Sequence, residues 1–158
     1  MQQLTILNSR DVKRIREQVV NQFGYFPEED YAFLKGENDK VFIVSKDLAR
    51  IDLKKLIVDR IGLYFAELRE TEVRLSKEGA QLLGRLAREN KKELKNVVDF
   101  DEKEVKAYFA GVDVVKDLGK ENRLMLLRYE QDVFGCAKYK EGKIINFMPK
   151  IHRGEVIL

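Results

Sequence analysis

The chain has no tryptophan, one cysteine and one histidine, and each scarcity removes a class of function. A lone Cys136 cannot close an internal disulfide, so the fold must rest on its core. One cysteine and one histidine cannot complete a tetrahedral nitrogen/sulfur metal site, and the acids show no calcium-loop spacing. Apolar runs stay short of the roughly 18 residues that would span a bilayer. The opening MQQLTILNSRDVKRIREQVV turns charged by Arg10 and lacks the long apolar segment of a secretory signal. A cytoplasmic protein without a membrane partner is expected. Nucleotide motifs are missing too: no glycine-rich loop ends in Lys-Ser or Lys-Thr, and no strand leads through spaced glycines into a helix. A chain of 158 residues without a dinucleotide or S-adenosylmethionine fingerprint is not expected to be a stand-alone methyltransferase, nor to need a cofactor.

What is present is a core and a dense charged surface. Hydrophobic residues make up 44% of the chain, enough for real burial, and charged ones 36%. The net charge of +3 is too small to announce a nucleic-acid binder. Its distribution says more: residues 1–72 hold 12 basic and 13 acidic groups, residues 73–158 hold 18 and 14. The positive excess lies in the second half.

The spacing of Val12, Ile15, Val19, Val20 and Phe23 predicts an amphipathic helix over Ser9 to Phe23, capped by Asn8 or Ser9 and stopped by Gly24. Two runs rich in aromatic and β-branched residues, Tyr31 to Leu34 and Val41 to Val44, flank a polar turn and predict a hairpin. Ser45 is placed to cap a short helix through Leu48 and Ala49, and a strand is expected around Ile61 to Glu67. A short strand at Glu72 to Leu75 precedes a helix capped by Ser76, with Ala80, Leu83 and Ala87 on its apolar face. Lys91, Lys92 and Lys95 read as a linker. Asp101 caps a further helix ending at Gly111, with acids in its first turn as the helix dipole favours. Four short strand-like runs follow, VDVVKD, RLMLLRYE, VFGCAKYKEG and KIINFMP, and read as a β-meander. The expectation is an α+β protein: a small N-terminal α/β domain over 1–72, then a mixed β pseudo-barrel with two helices over 73–158.

Chemistry concentrates in DVFGCAKYKEGKIINFMPKIHRG, where five basic residues meet two acids and which holds both Cys136 and His152. A nucleophilic pair would need these two within hydrogen-bond reach and a third group to orient the imidazole. Cys136 follows Val133, Phe134 and Gly135 in a strand, a context in which cysteine packs as a small hydrophobe. Pairs of carboxylates such as those in PEEDY and DEKE read as solvated faces. The alternative is a β-ribbon that presents Lys138, Lys140, Lys143, Lys150 and Arg153 to phosphate oxygens, with Asn146 able to meet a phosphate, a 2′-hydroxyl or a base edge.

Gly135, Lys138, Gly142, Asn146, Pro149, Lys150 and Arg153 resemble, at matching spacings, the C-terminal PUA-like RNA-binding segment of cytosine-5 rRNA methyltransferases of the Sun/Fmu type. Ala137, Ile145 and Ile151 replace a glycine, a lysine and a glycine of that pattern. More broadly, YAFLKGENDKVFIVSKDL, AELRETEVRLSKEGAQLL and VKAYFAGVDVVKD are similar, in order, to the hairpin, interdomain strands and PUA lead-in of the Nip-seven ribosome-biogenesis factors. The resemblance implies a non-catalytic protein that binds rRNA or tRNA, with a separate RNA methyltransferase or another ribosome-biogenesis factor as a partner. It places His152 as one more polar group on the basic ribbon and Lys116 beside it. An adaptor that docks a methyltransferase through the exposed face of Asn8 to Phe23 is the alternative reading.

Overall fold

The computed structural model describes residues 4–28, 30–46, 62–147 and 153–154. The expected helix after Ser45 and the residue Ile61 lie outside them.

Helix α1 spans Ser9–Phe23, as its periodicity predicts. The Asn8 side chain accepts a hydrogen bond from the Asp11 amide, and Gly24, with a φ of 86°, ends the helix. Its face of Ile15, Val19 and Phe23 is buried. Strands β1 (Thr5–Ile6), β2 (Tyr31–Lys35), β3 (Lys40–Ser45), β4 (Leu63–Leu68) and β5 (Val73–Leu75) form an antiparallel sheet in chain order. β5 begins at the boundary expected between the two halves and completes this first sheet.

Ser76, whose side chain accepts from the Gly79 amide, then caps α2 (Lys77–Glu89). After it come β6 (Val97–Phe100), α3 (Glu102–Phe109) with a reciprocal Asp101/Glu104 capping box, β7 (Val114–Val115), β8 (Arg123–Tyr129), β9 (Asp132–Lys140) and β10 (Lys143–Ile145). The second sheet runs β6-β8-β9-β10-β7, with β6 parallel to β8 and the other pairs antiparallel. Two features depart from the meander read in the sequence. The supposed lysine linker leads into a strand, and β7 crosses to pair with β10 instead of β8. In the second sheet only β8, β9 and β10 meander. β6 is four residues long and parallel, so the turn signals that betray hairpins do not flank it.

Two cores result. The first joins Ile15, Phe33 and Phe65 to Leu83 of α2 and to Leu126 and Cys136 of the second sheet. The second is built from residues of the second sheet and α3 alone, among them Phe100, Tyr108, Met125, Leu127, Tyr139 and Ile144. β9 serves both: alternation sends Cys136 toward one core and Ala137 toward the other. Since both faces of this strand are covered, its reach to solvent is limited to its two ends.

Candidate nucleic-acid interface

The β9–β10 hairpin turns at Glu141 and Gly142, both with positive φ (50° and 78°). That is the primed turn whose twist matches the flanking strands, and it fixes the register. Tyr139 faces Ile144, and both side chains are buried. One residue on, Lys140 stands directly opposite Lys143, and both are exposed. Neither makes an ion pair with a described residue. Like charges directly across a ladder destabilise it, and with Glu141 as its one acid the tip from Lys140 to Lys143 is net positive.

The other expected contacts are arranged differently. Lys138, on the same face as Lys140, is about three-quarters buried, and its ammonium binds the Glu72 carboxylate at 3.1 and 3.3 Å. Lys116 does lie beside the ribbon: its amide donates to the Gly142 carbonyl at 3.0 Å. Its Nζ pairs with Glu104 at 3.0 Å and sits 5.8 Å over the Phe100 ring. Asn146 is drawn into the fold. Its Nδ2 donates to the Tyr108 and Val112 carbonyls at 2.6 and 3.1 Å, and its amide donates to Asp113 Oδ1 at 2.8 Å. This clamps the end of α3 to β10. Arg153 lies against Gly111, whose φ of 95° is the helix-stop geometry expected there; a Cβ at that glycine would meet Arg153 Cδ at 2.9 Å. Lys150 and His152 lie outside the described residues.

Cys136 is 7% exposed, and burial pushes its thiol up to about 12, against a smaller opposing effect from a backbone hydrogen bond at Leu75. It is a neutral wall residue at physiological pH. Among the described residues no group of three His, Cys, Asp or Glu side chains is placed to hold a metal, and no helix is long and apolar enough to cross a membrane.

The sequence reading missed Arg74. It projects from β5 with its guanidinium 4.0 Å over the Phe147 ring, two residues beyond β10. Alternation in EVRLS puts Arg74 opposite the buried Val73 and Leu75 and so signals its exposure. Its aromatic partner is 73 positions away in the chain, where no local pattern reaches.

Comparison with known proteins places this geometry. Residues 95–153 match the family described as the PUA domain of methyltransferase RsmF. These residues contain every strand of the second sheet and the whole second core. Over 144 residues the chain is 24% identical to ribosomal RNA small subunit methyltransferase F of Aeromonas salmonicida (strain A449); the match covers 91% of this chain and 28% of that protein. The chain thus spans under a third of the length of the relative it matches, and its second sheet lies wholly within the residues that are similar to the PUA domain of methyltransferase RsmF.

Proposed function

We propose that this chain binds structured RNA, without a catalytic step of its own, in ribosome biogenesis or in modification of rRNA or tRNA. The observation that carries this reading is the Lys140/Lys143 pair at the tip of a PUA-type sheet. Two lysines held face to face without an ion pair to a described residue raise the energy of the free protein, and a phosphate backbone relieves that repulsion. The other contacts belong to the same proposal: Lys116 and Lys138 exchange carboxylates for phosphates on binding, Lys150, His152 and Arg153 extend the basic surface, and Asn146 reaches the RNA while holding the end of α3. The likeness to part of an rRNA methyltransferase supports a role in bringing RNA to a separate methyltransferase. The ordered likeness to Nip-seven factors, and the division into an N-terminal unit of 1–72 and an RNA-binding unit of 73–158, complete the reading.

The test is a salt titration of binding to a stable RNA hairpin by fluorescence anisotropy. Replacing both lysines, as Lys140→Gln with Lys143→Gln, should weaken binding and shrink the slope of log K against log salt by about 0.7 to 0.9 per lost contact. The variant should melt no lower than the parent, since the substitution removes a repulsion. Unchanged affinity and slope would contradict the proposal.

A further inference from the structure

On the first sheet, the face turned away from Phe65 carries a row that alternates cations and rings. Register sets Lys40, Glu67 and Arg74 side by side on β3, β4 and β5, about 10 Å from first to last at ordinary strand spacing. The Lys40 ammonium sits 5.4 Å over the Tyr64 ring, and Phe42, its cross-strand partner, props that ring at 5.6 Å between centroids. At the far end the Arg74 guanidinium covers Phe147 at 4.0 Å. Tyr64 and Arg74 are near enough for the guanidinium charge to act on the phenol, opposing the rise in its pKa that burial imposes. All six side chains, Glu67 included, are half-buried, each keeping part of its surface in solvent.

The acids of this face are engaged elsewhere. Glu67, between the two cations, pairs with Arg69 at 3.0 Å, and Glu72 is held by Lys138. Neither Lys40 nor Arg74 makes an ion pair with a described residue. A surface that pairs partly exposed rings with cations that make no ion pair to a described residue suits one kind of polymer, whose flat bases stack and whose phosphates follow the charge. The row also ends at Phe147, where the PUA-type sheet begins its exit from β10.

We propose that Lys40, Tyr64, Arg74 and Phe147 form a stacking platform for single-stranded RNA, three of whose four residues lie outside the PUA match. It rests on the RNA-binding reading for its ligand class and extends it: duplex goes to the ribbon, and an unpaired flank of the same RNA lies across the first sheet. Guanidinium and aromatic planes take the bases, and Lys40 meets a phosphate.

The experiment uses the full chain and two probes: a blunt RNA hairpin, and the same hairpin with a single-stranded tail of about eight nucleotides, within the range of single-strand site sizes. A 2-aminopurine in the tail reports stacking without interference, because the protein has no tryptophan. The tail should tighten binding at least about fivefold, and 2-aminopurine emission should be quenched. Arg74→Gln and Tyr64→Leu, each with its melting temperature checked, should remove the gain from the tail and leave the blunt hairpin bound as before. Lys40→Gln, which leaves both rings in place, serves as a second variant and should reduce the gain. A parent protein that binds both probes equally would overturn the platform while the ribbon stands. A parent that binds only the tail would sink the ribbon and leave the platform. Failure to bind either probe ends both proposals.

Discussion

Neighbouring residues of β9 face opposite cores, Cys136 toward α2 and the first sheet, Ala137 toward the core shared with α3. The thiol therefore acts as a small apolar group that happens to contain sulfur. Cys136→Ala should cost about 0.5 to 2 kcal/mol, as a one-atom truncation of a buried side chain, and should leave hairpin binding unchanged. A urea titration and an anisotropy titration on the same variant check both halves. The apolar context that gives this answer was legible in VFGCA. Asn146 was legible only as a polar group on a basic ribbon. That its amide clamps Tyr108 and Val112 depends on where α3 ends in space, more than thirty residues earlier in the chain.

At the scale of elements, α2 joins the two sheets, and its two glycines set how closely. A Cβ at Gly79 would collide with the Phe65 carbonyl of β4, and one at Gly84 would approach the Val133 Cβ of β9 to 2.5 Å. Ser76 ties the start of the same helix to β4 by donating to the Tyr64 and Phe65 carbonyls. The helix thus presses bare backbone on one sheet at its start and on the other near its middle. Gly79→Ala raises intrinsic helix propensity by about 1 kcal/mol. It should nonetheless destabilise the protein by about 1 to 3 kcal/mol, since rigid backbone opposes the added methyl. A higher melting temperature for this variant would show that the approach is looser than described. The cap and the apolar face of α2 could be read from SKEGAQLLGRLAREN, whereas the glycines have meaning only once β4 and β9 flank the helix.

For the whole molecule, stability should be flat near neutrality and fall on both flanks. Burial raises Tyr108, whose ordinary value is 10.0, to about 12, and Cys136, ordinarily 9.0, also to about 12. A folded-state pKa above the unfolded one gives stability that is complete below the unfolded value. It is lost as the pH climbs from there toward the folded value. Unfolding midpoints in urea should therefore drop once the pH passes about 9, and Tyr108→Phe should flatten the part of that drop above about 10. On the acid side, the Arg128 hydrogen bond holds Asp99 below its usual range. Its contribution is present above the unfolded carboxylate value and disappears as the pH falls through the folded one. The pair is exposed, so this acid effect should be the smaller of the two.

The sequence by itself determined the local elements that carry their own signals: α1 between Asn8 and Gly24, the β2–β3 hairpin, α2 from Ser76, α3 from Asp101, and the basic turn around Gly142. Each of these follows from contacts within a few residues, through a cap, an apolar period or a positive φ. The likeness of residues 95–153 to a PUA domain was legible from one spaced motif for the same reason. Tertiary structure alone decided the parallel β6, the crossing of β7 to β10, the core that α2 shares between the sheets, and which cations are left without acids. Lys138 and Lys140 are equivalent in sequence, two residues apart on one face. Glu72, brought up by the folding of β5 against β9, neutralises the first and leaves the second exposed. Charge compensation is a matter of distance across the fold, and distance across the fold is what a single strand of sequence does not contain.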